Sequence, residues 1–280
     1  MHLNALAFSL VVALGSFVAG FLGSLTGLGG GVVIVPLLTL LFGVDMRYAI
    51  GASLVSVIAT SSGAAAAYLR EGYSNMRVGM FLEIATTVGA ISGAVLAGHL
   101  STSVIAIVFG LVLLYSAYSS TQVHEGMHRG LRPDQFATLL KLDGSYPTPN
   151  GLETYHVRHV PAGFGLMYVA GVLSGLLGIG SGAVKVLAMD QAMKIPFKVS
   201  TTTSNFMIGV TAAASAGIYL RNGFIDPALA MPVMLGVLLG ALTGARVLPG
   251  ANVRTLRIVF GVVIAALAVE MIFQGVRGRL

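Results

Sequence analysis

The chain contains no cysteine, which excludes disulfides, thiolate metal sites and cysteine nucleophiles and leaves the compartment open. Charge is nearly as scarce. Asp, Glu, Lys and Arg make up 9% of the 280 residues, against about 25% in soluble domains. With 56% hydrophobic residues, the apolar stretches reach the roughly 20 residues that cross a bilayer as helix. The ten-residue alternation of a membrane β-barrel is missing. The expected class is an all-α polytopic membrane protein. Neither Lys nor Arg precedes Arg47, so the charged n-region of a cleaved signal peptide is not expected. Enzyme signatures are also absent: the sequence has no H-E-x-x-H, no paired intramembrane Asp set, and no Gly-x-Ser nucleophile with a membrane histidine. It has no ATP-binding motif either. No enzyme activity, cofactor or nucleic-acid partner is expected; the net charge of +6 is ordinary for the loops of a membrane protein.

Glycine, by contrast, is abundant and unevenly placed. It crowds Gly20-Phe21-Leu22-Gly23-Ser24-Leu25-Thr26-Gly27-Leu28-Gly29-Gly30-Gly31, inside an otherwise apolar run, and again Gly171-Val172-Leu173-Ser174-Gly175-Leu176-Leu177-Gly178-Ile179-Gly180-Ser181-Gly182. A helix interior loses roughly 1 kcal/mol per Gly relative to Ala, so these stretches suit a backbone that unwinds or lets a ligand approach. Matching breaks in two halves mark a transporter binding site; packing of helices through small residues is the other reading.

Spans are expected at 5–27, 31–43, 47–69, 76–98 and 102–119, then at 161–180, 183–194, 198–220, 227–247 and 253–275. Whether 31–43 and 183–194 cross fully or re-enter is open. Residues 120–160 carry charges, prolines and four histidines and form a solvated connector. In it Leu139 to Tyr146 and Thr154 to Val160 are β-prone around the turn chemistry of Pro147 to Gly151, which predicts a small β-hairpin. His124, His128, His156 and His159 have no convincing ligand spacing, and no metal is expected. The chain thus divides into a first transmembrane repeat (1–119), the connector (120–160) and a second repeat (161–280).

The two repeats align without a gap, Gly178 following Gly27 by 151 residues. Ala19-Gly20 meets Ala170-Gly171, Tyr68-Leu69-Arg70 meets Tyr219-Leu220-Arg221, and Phe109-Gly110 meets Phe260-Gly261. Roughly a quarter of the positions agree, as in the internal duplications of transporters. Loop charge indicates orientation. With five segments per half, Arg70, Arg77, Arg129, Arg132, Lys141, Arg158, Lys194, Lys198, Arg246, Arg254 and Arg257 share one side. Only Arg47, Arg221, Arg277 and Arg279 lie on the other. The positive-inside rule then predicts two inverted repeats in the plasma (inner) membrane, with a cytoplasmic connector and both termini outside.

In that arrangement the breaks meet near the midplane. Their unwound N–H groups and the following helix starts favour an anion. Gly27, Gly29, Gly30 and Gly31 of the first break and Gly178, Gly180, Ser181 and Gly182 of the second are the candidate backbone ligands. The second half adds polarity: Lys185 stands where the first half has Ile34, Asn205 where it has Leu54, and Asp190 where it has Thr39. A lysine deep in an apolar segment is by default a functional residue; snorkelling or a structural pair with Asp190 is its alternative. Ser53, Thr202 and Asn205 could donate to an anion or join helices. Glu83 and Asp190 are candidate carriers of a coupling proton, Glu83 alternatively pairing with a loop arginine and Asp190 capping a segment end.

At these residues the chain resembles the TauE/SafE family of membrane proteins, described as sulfite or sulfonate exporters. The resemblance rests on Gly20 to Gly31 with its following Val-Ile-Val-Pro run, on Ser174 to Gly182, on Lys185-Val186, and on Thr201-Thr202-Thr203-Ser204-Asn205-Phe206. Ser181 stands where the family often has Gly, and Leu187 where a Pro is common. The resemblance implies transport of sulfur oxyanions or small organic anions. The expected function is secondary, alternating-access transport of such an anion, in the direction of export; a passive channel, or an intramembrane enzyme, is the competing class.

Overall fold

The computed structural model describes residues 5–26, 31–70, 74–121, 134–148, 151–247 and 253–278. The described chain is helical apart from one hairpin. In order, the elements are α1 (Ala5–Thr26), α2 (Gly31–Pro36), α3 (Met46–Arg70), α4 (Met76–His99), α5 (Thr102–Thr121), α6 (Gln135–Leu139), β1 (Gly144–Thr148), β2 (Gly151–Tyr155), α7 (Val160–Leu177), α8 (Gly182–Leu187), α9 (Phe197–Arg221), α10 (Pro227–Val247) and α11 (Val253–Val276). Long helices of this length match a hydrocarbon layer of about 30 Å. Their outer faces are apolar at helical spacing, as in Leu10, Leu14 and Val18 of α1, Met80, Ile84 and Val88 of α4, and Leu235, Leu239 and Leu242 of α10, all exposed. Water does not tolerate apolar surface on this scale; lipid does. Among the described residues three helices, Met76–His99, Val160–Leu177 and Pro227–Gly244, are long and apolar enough to span, with shorter apolar helices beside them.

The 151-residue offset of the sequence recurs in the backbone. α2 continues as a π-helical turn, Leu37–Leu41, and α8 as the π-helical turn Ala188–Ala192, each element displaced by the same interval from its counterpart. Both turns end alike. Val44 N–H donates to Leu38 O (3.0 Å) and Ile195 N–H to Met189 O (2.9 Å), the closing bond of a Schellman motif. The left-handed residue in it is Gly43 (φ 63°) in one half and Lys194 (φ 58°) in the other. A non-glycine there costs about 1 kcal/mol or more.

The halves interlock rather than lying side by side. α1 packs on α10, and α4 on α7; α3 packs on α9, and α5 on α11. The first two contacts are repeat images. A Cβ on Gly171 would overlap Thr86 O, and one on Gly20 would overlap Val237 O; Gly89 likewise meets Tyr168 O, and Gly240 meets Phe17 O. Each such site needs glycine because backbone touches backbone. The contacts also give direction. Gly89 and Gly93 meet Tyr168 and Val172 in the same order, so α4 and α7 run parallel, as do α1 and α10 by Gly236 against Ala13 and Gly240 against Phe17. Gly110 against Ala268 and Gly275 against Ser103 make α5 and α11 antiparallel. Gly51 against Phe224 and Gly209 against Ser61 do the same for α3 and α9.

The expected hairpin exists, with shifted strands. β1 and β2 pair antiparallel, Gly144 with Tyr155 and Pro147 with Leu152. Leu139 belongs to α6 instead, a helix the β-prone run concealed, and Pro147 and Thr148 extend the first strand rather than turning it. A two-stranded sheet has free edges on both sides, where a proline without an N–H is tolerated. The second strand ends at Tyr155, because Asp143 captures the next part of the chain: its Oδ1 accepts Val157 N–H (2.8 Å) and its Oδ2 lies 3.1 Å from His156 Nδ1. Tyr155 is buried with Val78, Leu82, Val157, Met189 and Met193, and burial pushes its phenol up to about 12. His124 and His128 lie outside the described residues, and no group of metal-binding side chains occurs among the described ones.

Candidate functional site

The second break is fully described. α7 closes at Gly178, in the left-handed region at φ 69° with its N–H on Ser174 O (2.8 Å). Gly180 (φ 70°) and Ser181 (φ 44°) follow in the same region. Three left-handed residues within four cannot be helix, which is why the glycines are there; Ser181 is the exception, held by donating its hydroxyl to Ala170 O (2.5 Å). Gly27, Gly29 and Gly30 of the first break lie outside the described residues. Its end, Gly31, is described and buried.

The two breaks touch. Ser53 of α3 donates to Gly178 O (2.8 Å) and lies 3.4 Å from Gly31 O. A Cβ on Gly31 would sit 3.3 Å from Gly178 O. In the other half Ser204, the repeat mate of Ser53, lies 3.4 Å from Gly182 O. α2 and α8 therefore begin against the interior turns of α3 and α9, not at their ends. With its π turn each covers about 16 Å of rise, half a bilayer.

Lys185, one turn into α8, is completely buried. Its Nζ donates to Thr211 Oγ1 at 2.6 Å, midway along α9. Thr211 Oγ1 in turn lies 2.7 Å from Glu83 Oε1 of α4 and 2.8 Å from Met207 O. A hydroxyl has one hydrogen and two lone pairs, so Thr211 accepts from the ammonium while donating onward. Glu83 is 8% exposed. Its Oε1 also accepts from Thr87 (3.1 Å), and its Oε2 is buried with no hydrogen-bond partner among the described residues. Lys185 and Glu83 thus face each other across one hydroxyl, and neither snorkelling nor a loop arginine enters. The chemistry available is a buried lysine amino group, a carboxyl group with a vacant oxygen, and a hydroxyl linking them, all next to an irregular backbone.

The other sequence candidates are placed differently. Thr202 is buried and returns its hydroxyl to Lys198 O (3.0 Å) and Val199 O (3.1 Å) in its own helix. Asn205 is half-buried on α9 and its side chain makes no hydrogen bond among the described residues. Asp190 is buried in the π turn after α8, on the side where the connector docks through Arg158 N–H on Met193 O (3.0 Å). The residue that sequence reasoning missed is Thr211. It matches Thr60 across the repeat, so it passes for an unchanged scaffold position; only its partners mark it.

Comparison with known proteins agrees with the membrane reading. Residues 12–271 match the family described as sulfite exporter TauE/SafE. Similar curated proteins include the probable membrane transporter protein YunE of Bacillus subtilis (strain 168), 25% identical over 97% of this chain and 99% of that one. YdhB of the same organism, also a probable membrane transporter protein, is 28% identical over 85% and 89%. The probable membrane transporter protein MJ0441 of Methanocaldococcus jannaschii is 23% identical over 91% and 92%. No solved structure matches the chain. A helical membrane fold, two glycine breaks in contact and a match running over nearly the whole length lead to one assignment: the chain belongs to the TauE/SafE family.

Proposed function

We propose that this protein is a secondary transporter of a small anion, a sulfur oxyanion or organosulfonate such as sulfite, working by alternating access around the two breaks. The observation that carries the proposal is Lys185, a lysine with no exposed surface one turn beyond Gly182, in the middle of a helical membrane protein. Such a charge is costly unless it has work to do, and a positive charge beside broken helices suits an anion. The description of the family points to the same cargo class.

The halves are inverted in this reading, residues 1–119 against 161–280, with the connector 120–160 cytoplasmic and the termini outside. Support comes from the parallel pairs α1/α10 and α4/α7 and the antiparallel pairs α3/α9 and α5/α11, the pattern expected when every helix opposes its repeat mate, and from loop charge. In this reading Gly27, Gly29, Gly30, Gly31, Ser53, Gly178, Gly180, Ser181, Gly182, Lys185, Thr202 and Asn205 are the candidate ligands of the anion, with Glu83 and Asp190 as candidate proton carriers. Export is the direction the family's description favours.

The test is reconstitution in liposomes with sulfite, thiosulfate or sulfoacetate. The parent protein gives saturable flux, and Lys185→Ala reduces it at least about tenfold, the effect of losing roughly 1.4 kcal/mol of substrate interaction. Unchanged flux in the variant removes Lys185 from the site, and flux that never saturates makes the protein a channel.

A further inference from the structure

We infer that Lys185, Thr211 and Glu83 form a coupling unit that binds a proton together with the anion, so that the two are carried as a pair. The inference rests on the anion-transport reading above and adds to it the stoichiometry and a residue, Thr211. As built, the unit holds one ammonium and one carboxylate, joined through the Thr211 hydroxyl at 2.6 and 2.7 Å. Its net charge is zero when Glu83 is ionised. An anion arriving at Lys185 then leaves one uncompensated negative charge in a buried site, and buried net charge is strongly unfavourable. A proton from solvent hydronium, which leaves as water, adds to the Glu83 carboxylate and restores neutrality by turning –COO⁻ into –COOH. The vacant, buried Oε2 is where that proton fits, since Oε1 already accepts from Thr211 and Thr87.

Among the described residues, the other charged and titratable groups on the packed helices lie away from the pair. Lys185 is the charged group that acts on Glu83. α7 carries no Asp, Glu, Lys or Arg, and its Tyr168 is exposed against Ser92. On α9, Lys198 and Arg221 lie exposed near the ends, and Tyr219 is turned to Gly175 O (3.2 Å). On α4 itself, Arg77 and His99 are exposed at the ends. Asp190 sits five residues beyond Lys185, in the π turn at the connector side. Anion binding and Glu83 protonation therefore strengthen each other, and by linkage each raises the affinity for the other equally. Transport of a monovalent anion is then electroneutral, and its direction follows the combined gradients of anion and proton. Thr211 is a positioning residue: when Glu83 is protonated it keeps the ammonium aimed and the carboxyl in place.

The experiment is calorimetric titration of the purified full chain with ethanesulfonate and with thiosulfate, neither of which titrates in the range used. It is run from acid to alkaline pH in pairs of buffers with different ionisation heats, which counts protons taken up on binding. The expected result is about one proton per ethanesulfonate in the pH range where Glu83 is ionised. Glu83→Gln binds the anion with no proton uptake at any pH. Thr211→Val weakens binding severalfold, and Thr211→Ser restores it. Binding by the parent without proton uptake at every pH, or uptake that persists in Glu83→Gln, overturns the coupling and leaves anion transport standing. Persistence in Glu83→Gln that is lost in Asp190→Asn assigns the proton to Asp190 instead. Thr211→Val indistinguishable from the parent overturns its positioning role. If the parent binds none of these anions and moves none in liposomes, the transport reading itself fails and the coupling with it.

Discussion

The same three positions occur twice in this molecule and differ in chemistry. Lys185 on α8, Thr211 on α9 and Glu83 on α4 have repeat mates Ile34 on α2, Thr60 on α3 and Met234 on α10. The helices carrying each set pack alike, α4 on α9 and α10 on α3. In one set an ammonium and a carboxyl meet across a threonine; in the other Ile34 is fully buried and Thr60 returns its hydroxyl to Ser56 O (3.0 Å) of its own helix. Thr60 and Thr211 are the same residue in the same place, so what separates them is entirely the company they keep. The scaffold has stayed symmetric under the constraint of backbone contact, while the chemistry has collected on one side of it.

That comparison can be broken by making the second set a copy of the first. Lys185→Ile alone leaves Glu83 facing an apolar site, and Glu83→Met alone leaves a buried ammonium; each is expected to cost about 3–5 kcal/mol if the remaining group stays charged. The double variant Lys185→Ile/Glu83→Met should regain most of that loss while remaining inactive. Chemical or thermal unfolding in detergent, read as a double-mutant cycle, measures the coupling. A double variant no more stable than the singles means that the two groups are not a pair.

The symmetric part of the comparison predicts equality. Gly20→Ala and Gly171→Ala each force a methyl group against a backbone carbonyl, Val237 O and Thr86 O respectively. Each should cost about 1–3 kcal/mol, as overpacking does, and the two losses should agree. Unequal losses in the same unfolding assay would show that the two helix pairs are not equivalent.

The smallest effect concerns the connector, which has no repeat mate. Tyr155 accepts a hydrogen bond from Asn75 Nδ2 (2.7 Å), and Tyr155→Phe should lose about 1 kcal/mol of local stability. Because the phenol titrates near 12 when folded, against 10.0 ordinarily, its contribution is complete below about pH 10 and fades as pH rises towards 12. Tyrosinate absorbance followed through that range should lose the amplitude of one tyrosine in the variant. An unchanged amplitude would assign the step to another tyrosine.

Much of the architecture was legible. Apolar runs bounded by Arg, Asp, Asn and Pro mark helical segments whose observed ends differ from the expected ones by a few residues, since the length of an apolar helix is written in composition. The connector was legible only as a class. Its strands slid because Pro147 and Leu139 were weighed by local propensity, whereas Asp143 and the buried Tyr155 fix the register through partners elsewhere in the chain. The site was half legible. Lys185 and Glu83 each stand out as charges in apolar segments, but they are 102 residues apart in the chain, and no local pattern joins them. The helix packing does, and the hydroxyl between them is invisible for want of any departure from the repeat.

The interlocking of helix pairs also bears on how the chain assembles. A lone half would possess the glycine faces of its first and fourth helices with nothing to lay them against, because α1 finds α10 and α4 finds α7 only in the other half. Neither half can therefore bury these glycine faces on its own, so the two must come together before either is complete.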